Sequence, residues 1–255
     1  MIPHVIHLCW FGRGDYPALA QRCIDSWKKN LQDYKIMLWN EDSFDVYSNE
    51  YTRAAYQQKK WAFVSDYVRL VALEQYGGIY MDTDLEVLRD FSTLLERGGY
   101  ISSKVEGGLI TAGFIATRAH HPYVQTLKKR YEGNACKKPN GEVEFLMNPL
   151  IFTKVAMEMY GYKIADEYQS FQEFTIYPLE YFMPYRKTIL GKDPEKHSNY
   201  LLTNHSYAIH HDMGSWGNES KPARVKRALA RLCLPRRTYL WMKEKMYKKK
   251  LSGRV

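Results

Sequence analysis

The chain has 255 residues, 45% hydrophobic, 25% charged and 15% aromatic. That is enough to bury one substantial core and too apolar for a disordered polymer. Its four cysteines, Cys9, Cys23, Cys136 and Cys233, lie far apart with no C-x-x-C pair, so neither a thiolate zinc site nor a disulfide framework is indicated, which points to a reducing compartment. No stretch of about 18 apolar residues is present to cross a membrane. Met1-Ile2-Pro3-His4-Val5-Ile6-His7 lacks the basic start and apolar run of a signal peptide.

The net charge of +9 is concentrated at one end. Thirteen of the 37 Lys and Arg, but only one of the 28 acids, Glu244, lie from Lys221 onward, so the first 220 residues are slightly acidic. The 21 tyrosines and six tryptophans suit a protein that handles sugars or bases, although most such rings serve packing.

Taken in order, the apolar run Val5–Phe11, closed by Gly12-Arg13-Gly14, predicts a buried strand and its loop. Pro17–Lys29 predicts a helix, with Leu19, Cys23 and Trp27 at i+4 spacing, and Tyr34–Trp39 a second strand. A long helical region is expected from Glu50 to Gln75, ended by Gly77-Gly78. Gly78–Met81 then reads as a strand delivering Asp82 and Asp84 at its end. Positions i and i+2 of a strand share a face, roughly 6.6 Å apart. Two hard oxygen donors so placed suit Mg²⁺ or Mn²⁺ and leave room for substrate phosphates.

Ile110–Thr117 predicts a further strand and Pro122–Tyr131 a helix, whereas Asn134–Tyr200 is Tyr- and Pro-rich with weak periodicity. Tyr207–His210 is a short strand running into His211-Asp212-Met213-Gly214-Ser215-Trp216. Alternating strands and helices imply an α/β fold with a mostly parallel sheet and a site at the strand C-terminal ends. The expected organisation is a domain over 1–220 and a basic amphipathic tail over 221–255. In the tail Pro235 separates two short helices. Basic residues interleaved with Leu, Trp and Met suit an anionic membrane surface. A solvated helix packed on the domain is the alternative, and no nucleic-acid module is recognisable.

Four ordered elements, Ile2–Gly12, Ser65-Asp66-Tyr67-Val68-Arg69, Gly77–Asp84 and His210–Trp216, together resemble the D-x-D sugar-binding enzymes of glycosyltransferase family 32, in their bacterial capsular-polysaccharide and lipopolysaccharide branch. The glucosyltransferase domains of large clostridial toxins are similar at a greater distance. The resemblance implies a GT-A fold, Rossmann-like, and retaining, metal-dependent transfer from a nucleotide sugar, a UDP-hexose or GDP-mannose, to a saccharide or lipid-linked saccharide. It also implies a cytoplasmic enzyme peripheral to the inner face of the bacterial plasma membrane.

Carried over by position, Trp10 is expected to stack on uracil. Ser65, Asp66, Arg69 and Tyr80 are expected around the donor sugar and leaving phosphate, with Trp216 capping the pyrophosphate. Asp84 would coordinate the metal directly and Asp82 reach the ribose or a metal-bound water. A third ligand is sought among His210, His211, Asp212 and Ser215, with His210 favoured over His211. An imidazole ligand tilts the choice toward Mn²⁺. One departure is Thr111-Ala112-Gly113, where many relatives have Asn before Ala-Gly.

Competing readings make distinct demands. A glycoside hydrolase needs two carboxylates opposed across a sugar, about 5.5 Å or 6.5–9.5 Å apart. A metal-dependent phosphohydrolase needs a nucleophile or second metal cluster. A non-catalytic nucleotide-sugar or glycan-binding module needs only the pocket.

Overall fold

A computed structural model describes residues 1–186, 197–212 and 234–252. The main sheet has seven strands: β1 (Val5–Cys9), β2 (Lys35–Trp39), β3 (Gly78–Met81), β5 (Tyr100–Lys104), β6 (Ile110–Thr117), β7 (Gln169–Phe171) and β8 (Phe174–Ile176), in the order β2-β1-β3-β6-β5-β8-β7. The pairs β1/β2, β1/β3 and β5/β8 are parallel and the others antiparallel, so five strands point one way and only β6 and β7 run against them. This is the mixed α/β, mostly parallel arrangement expected. A separate two-stranded ribbon joins β4 (Leu85–Val87) to β9 (Ala208–His210).

Strand alternation divides the interior into two cores. In β3, Tyr80 faces one core while Ile79 and Met81 face the other. The Tyr80 side is covered by α2 (Glu50–Gln57), α3 (Trp61–Tyr76), α5 (Pro122–Lys129) and α6 (Asn148–Tyr160). On the opposite side lie α1 (Ala18–Asn30), the short α4 (Ser92–Leu95) and the β4/β9 ribbon. Gly78 is required where β3 meets β1, because a Cβ there would lie 2.5 Å from the Val5 carbonyl oxygen and φ is +99°.

The single helix expected over 50–75 is two helices, broken at Gln58–Lys60 with Lys59 at φ 56°. No Gly or Pro marks the break. It is made by Lys59 N–H and Lys60 N–H donating to the Tyr56 and Ala55 carbonyls, and it lays Trp61 against Gly12. The weakly periodic middle contains a full helix, α6, ended by left-handed Gly161. The final helix, α7 (Arg236–Ser252), begins directly after Pro235. The preceding half of the basic tail lies outside the described residues.

Candidate active site

The D-x-D segment is a turn set directly at the end of the expected strand, β3. β3 stops at Met81, Asp82–Asp84 reverse the chain with Leu85 N–H donating to the Asp82 carbonyl, and β4 starts at Leu85. The strand spacing expected from i and i+2 therefore does not apply. β4 pairs with β9 in a register that places Leu85 opposite His210. As a result, ligand atoms of Asp82, Asp84 and His210 all lie within 4.8 Å of one another. His210 Nε2 is 3.4 Å from Asp82 Oδ2 and 3.4 Å from Asp84 Oδ1. These side chains are only 13% (His210), 17% (Asp82) and 13% (Asp84) exposed.

Two carboxylates and an imidazole in one half-buried pocket call for positive charge. Burial pulls the His210 imidazole down, but Asp84 and Asp82 overcome it and push it up to about 9. Burial likewise works against charge on Asp82, yet Arg69, then His210 and the Tyr80 hydroxyl, hold it below the usual carboxylate range. Two carboxylate oxygens with one imidazole nitrogen form a donor set that fits Mn²⁺ or Mg²⁺, the nitrogen favouring Mn²⁺. Gly113 leaves the space: a Cβ there would lie 2.7 Å from His210 Nε2 and 2.8 Å from Asp82 Oδ2.

Behind the turn runs a buried polar network. Tyr80 Oη donates to Asp82 Oδ1 at 2.7 Å, and its ring lies under the Arg69 guanidinium, 4.3 Å away. Arg69 Nη1 donates to the Ala112 carbonyl at 2.7 Å and is 3.4 Å from Asp82 Oδ1. Arg69 Nη2 donates to Asp66 Oδ1 at 2.9 Å. Asp66 and Arg69 are thus an i, i+3 pair, but one buried to 0% and 1% exposure. Burial raises the Asp66 carboxyl well above its usual range against the pull of Arg69. Asp66 Oδ2 is buried without a hydrogen-bond partner, a costly state that a ligand hydroxyl would relieve.

A second feature of the same sheet edge is a cavity of about 310 Å³ at the C-terminal ends of β1 and β2, lined by Trp10, Tyr16, Leu38, Asn40 and Glu41 among others. The Trp10 indole donates to the Gly14 carbonyl at 2.6 Å and leans on Tyr16 with ring centroids 4.8 Å apart. Glu41 is fixed at the rim, accepting from Gly12 N–H at 2.7 Å and Tyr56 Oη at 3.0 Å.

Residues 17–99 match the family described as "Glycosyltransferase sugar-binding region containing DXD motif". That span holds Ser65, Asp66, Arg69, Tyr80, Asp82 and Asp84. Over that span the chain is similar to D-x-D glycosyltransferase regions. An uncharacterized glycosyltransferase of Acanthamoeba polyphaga mimivirus is 25% identical over 131 residues, 48% of this chain and 52% of the relative, so the match spans about half of each protein. Among solved structures, the PaToxG glycosyltransferase is 21% identical, covering 62% of this chain and 68% of its own at a TM-score of 0.44. The glycosyltransferase GlyE of Streptococcus pneumoniae is 12% identical, with 97% of this chain and 64% of that chain covered at a TM-score of 0.47. The fold assignment rests on the strand order and register given above.

Within the matched span and its surroundings, the expected residues are partly gathered. Asp66, Arg69, Tyr80, Asp82, Asp84 and His210 form one continuous cluster. Ser65 flanks it, its carbonyl accepting from Arg69 Nε at 3.1 Å. Trp10 lies at the separate cavity. His211 turns away: its Nε2 meets Glu86 at 2.9 Å and its Nδ1 meets Tyr200 Oη at 3.0 Å. Asp212 is exposed at φ 50° beyond β9 and does not join the three converging groups. Ser215 and Trp216 lie outside the described residues.

Two contributors, Asn148 and Glu86, were not anticipated, and Thr111, singled out in the sequence, has a role the sequence did not show. Asn148, fully buried at the start of α6, donates from Nδ2 to Asp66 Oδ1 at 2.7 Å; its only sequence signal is the Asn-Pro dipeptide opening a helix. Glu86 holds His211 and, at 3.0 Å, His197. Thr111 carries no amide, and its hydroxyl accepts from Gly113 N–H at 3.0 Å, shaping the backbone beside the carboxylates.

Proposed function

We propose that the protein transfers a hexose from a nucleotide-diphosphate donor, a UDP-sugar, to a saccharide hydroxyl with retention of anomeric configuration. The observation that carries this reading is the convergence of Asp82, Asp84 and His210 within 4.8 Å beside the buried Asp66–Arg69 pair. These three residues would hold a divalent cation, Mn²⁺ before Mg²⁺, which supplies charge neutralisation for a departing diphosphate.

The protein's own groups divide the remaining work. Trp10 and its cavity receive the base. Asp66, aimed by Arg69 and Asn148, accepts a hydroxyl of the donor sugar through its partnerless Oδ2. Arg69 keeps a fixed positive charge next to Asp66 and Asp82, so that the carboxylates remain in place when the cleft fills. The bond from C1 of the sugar to the diphosphate breaks as the acceptor oxygen bonds C1 on the same face. The acceptor proton passes to the leaving phosphate. The basic tail fits synthesis of a surface polysaccharide at the inner face of a bacterial plasma membrane. Asp82 and Asp84 converge on one point and do not flank a glycosidic bond, which disfavours a hydrolase.

Calorimetry with UDP, and with GDP as control, with and without Mn²⁺, tests this reading. UDP binding that requires Mn²⁺ and disappears in Asp84→Ala is expected, with Asp212→Ala close to wild type. A preference for GDP would reassign the donor. Absence of binding to either nucleotide would return the D-x-D turn to a purely structural role, and binding without turnover on any acceptor would make the chain a nucleotide-sugar-binding module.

A further inference from the structure

The C-terminal helix α7 is docked by one face and presents a different chemistry on the other. Its inner face is tied to the β5–β6 loop: Tyr239 is 4% exposed and its Oη donates to Glu106 at 3.1 Å. Gly107 lies so close that an added Cβ would meet Lys243 Cβ and the Tyr247 ring at 2.8 Å. Tyr247 and Leu251 reach the core covered by α3 and α6. The outer face carries Trp241, Met242 and Met246, which are 53%, 50% and 49% exposed. Exposed Arg237, Lys245, Lys248, Lys249 and Lys250 surround them, and Lys245 Nζ lies 4.1 Å from the Trp241 ring. Over the whole helix Glu244 is the single acid against seven Lys and Arg.

The position of this face follows from topology. β5 runs in the same direction as β3, because each is antiparallel to β6. The loop after Lys104 therefore leaves the same edge of the sheet as Asp82. The helix mounted on that loop stands at the site's edge of the molecule.

We propose that α7 docks the protein on an anionic phospholipid bilayer, which would bring the D-x-D edge of the sheet to the lipid surface. The outer face has what such an interface rewards: an indole and two thioethers to enter the headgroup boundary, and lysines to meet lipid phosphates. A nucleic-acid backbone would reward the lysines but gains little from exposed methionines. The docking itself stands on α7 alone. Its consequence, access to a sugar acceptor carried on a lipid, rests on the glycosyltransferase reading above.

The test is co-sedimentation of the full chain with vesicles of phosphatidylcholine alone or mixed with phosphatidylglycerol, in low and high salt. Binding only to the mixed vesicles, weakened by salt, is expected. A Trp241→Ala/Met242→Ala/Met246→Ala variant and a Lys245→Glu/Lys249→Glu variant should each bind on the order of tenfold more weakly, with unchanged Tm and unchanged Mn²⁺-dependent UDP binding. Hydrogen exchange of the vesicle-bound chain should show new protection in α7 and none at the opposite edge of the sheet, around Gly98–Gly99. Equal binding to both vesicle types, wild-type binding by both variants, or release from vesicles into complex with a short DNA duplex would overturn the proposal. Vesicle binding in a chain that binds no nucleotide would overturn the transferase reading and leave the docking intact.

Discussion

Gly113 shows how narrowly the site is defined at the level of one atom. Its backbone has no unusual φ, so the requirement is for space. A methyl group at 2.7–2.8 Å from His210 Nε2 and Asp82 Oδ2 must displace one of them. Gly113→Ala is expected to weaken Mn²⁺ binding by the equivalent of about 1–3 kcal/mol, the usual cost of overfilling a packed position. Calorimetric Mn²⁺ titration against wild type checks this, and an unchanged affinity would mean that His210 and Asp82 do not share a ligand. The residues around Gly113 follow the same economy. Arg69 joins α3, the Ala112 carbonyl and the D-x-D turn through three hydrogen bonds and an ion pair. A lysine, with a point charge and no planar fork, could not span them.

Among the elements, α1 matters for a reason unrelated to its amphipathic pattern. The buried Trp27 indole donates to the Leu85 carbonyl at 2.6 Å, Asn30 Nδ2 donates to the Val87 carbonyl at 2.9 Å, and Ser26 Oγ accepts from Val87 N–H at 2.8 Å. These bonds hold β4, and through it Asp84, in register with β9 and His210. Trp27→Phe leaves the Leu85 carbonyl without its donor in a buried setting, and a loss of about 1–3 kcal/mol is expected. Denaturant unfolding measures it, and Mn²⁺ affinity should fall in parallel, whereas exposed Gln21→Ala on the same helix should change neither. Helix α3 behaves differently: buried on nearly every side, it can present Asp66 and Arg69 inward without a polar face to accommodate.

At the scale of the molecule, two cores on either side of one sheet make stability depend on polar groups buried between layers. His121 illustrates the consequence. It is 1% exposed and its Nδ1 accepts from Tyr123 N–H, capping α5, which requires the unprotonated ring. Burial, with Arg118 nearby, pulls its imidazole down to about 4. The unfolded chain therefore binds this proton more readily. The stabilisation is complete above the ordinary value of about 6.5 and is lost as pH falls toward 4. His7 is lowered in the same direction by burial between Gly77 and Trp39. From pH 7 to pH 5 the His121 contribution should fall by on the order of 2 kcal/mol. Unfolding curves across that range check it, and His121→Asn, which retains a capping oxygen, should flatten the slope.

Much of this was legible in the residues themselves. Val5–Cys9, Lys35–Trp39 and Ile110–Thr117 declare themselves as apolar runs bounded by turn residues, and α1 and α5 by their periodicity. The Ser-Asp-x-x-Arg and D-x-D segments are local patterns, so the chemistry they bring needs no tertiary contact to be noticed. What could not be read locally was decided by pairing over distance. The third member of the proposed cation site depends on the register of β4 against β9, which joins residues more than 120 positions apart and turns His210 inward and His211 onto Glu86. Asn148 reaches Asp66 only because α6 packs on β6 and on α5, which itself lies against α3, and the break at Gln58–Lys60 carries no Gly or Pro to announce it. The basic tail was visible as composition, but which of its faces meets the protein and which meets solvent is set by the fit of α7 against Gly107. Sequence pattern determines which groups are available and where local turns fall; only the packed sheet brings their atoms within bonding distance.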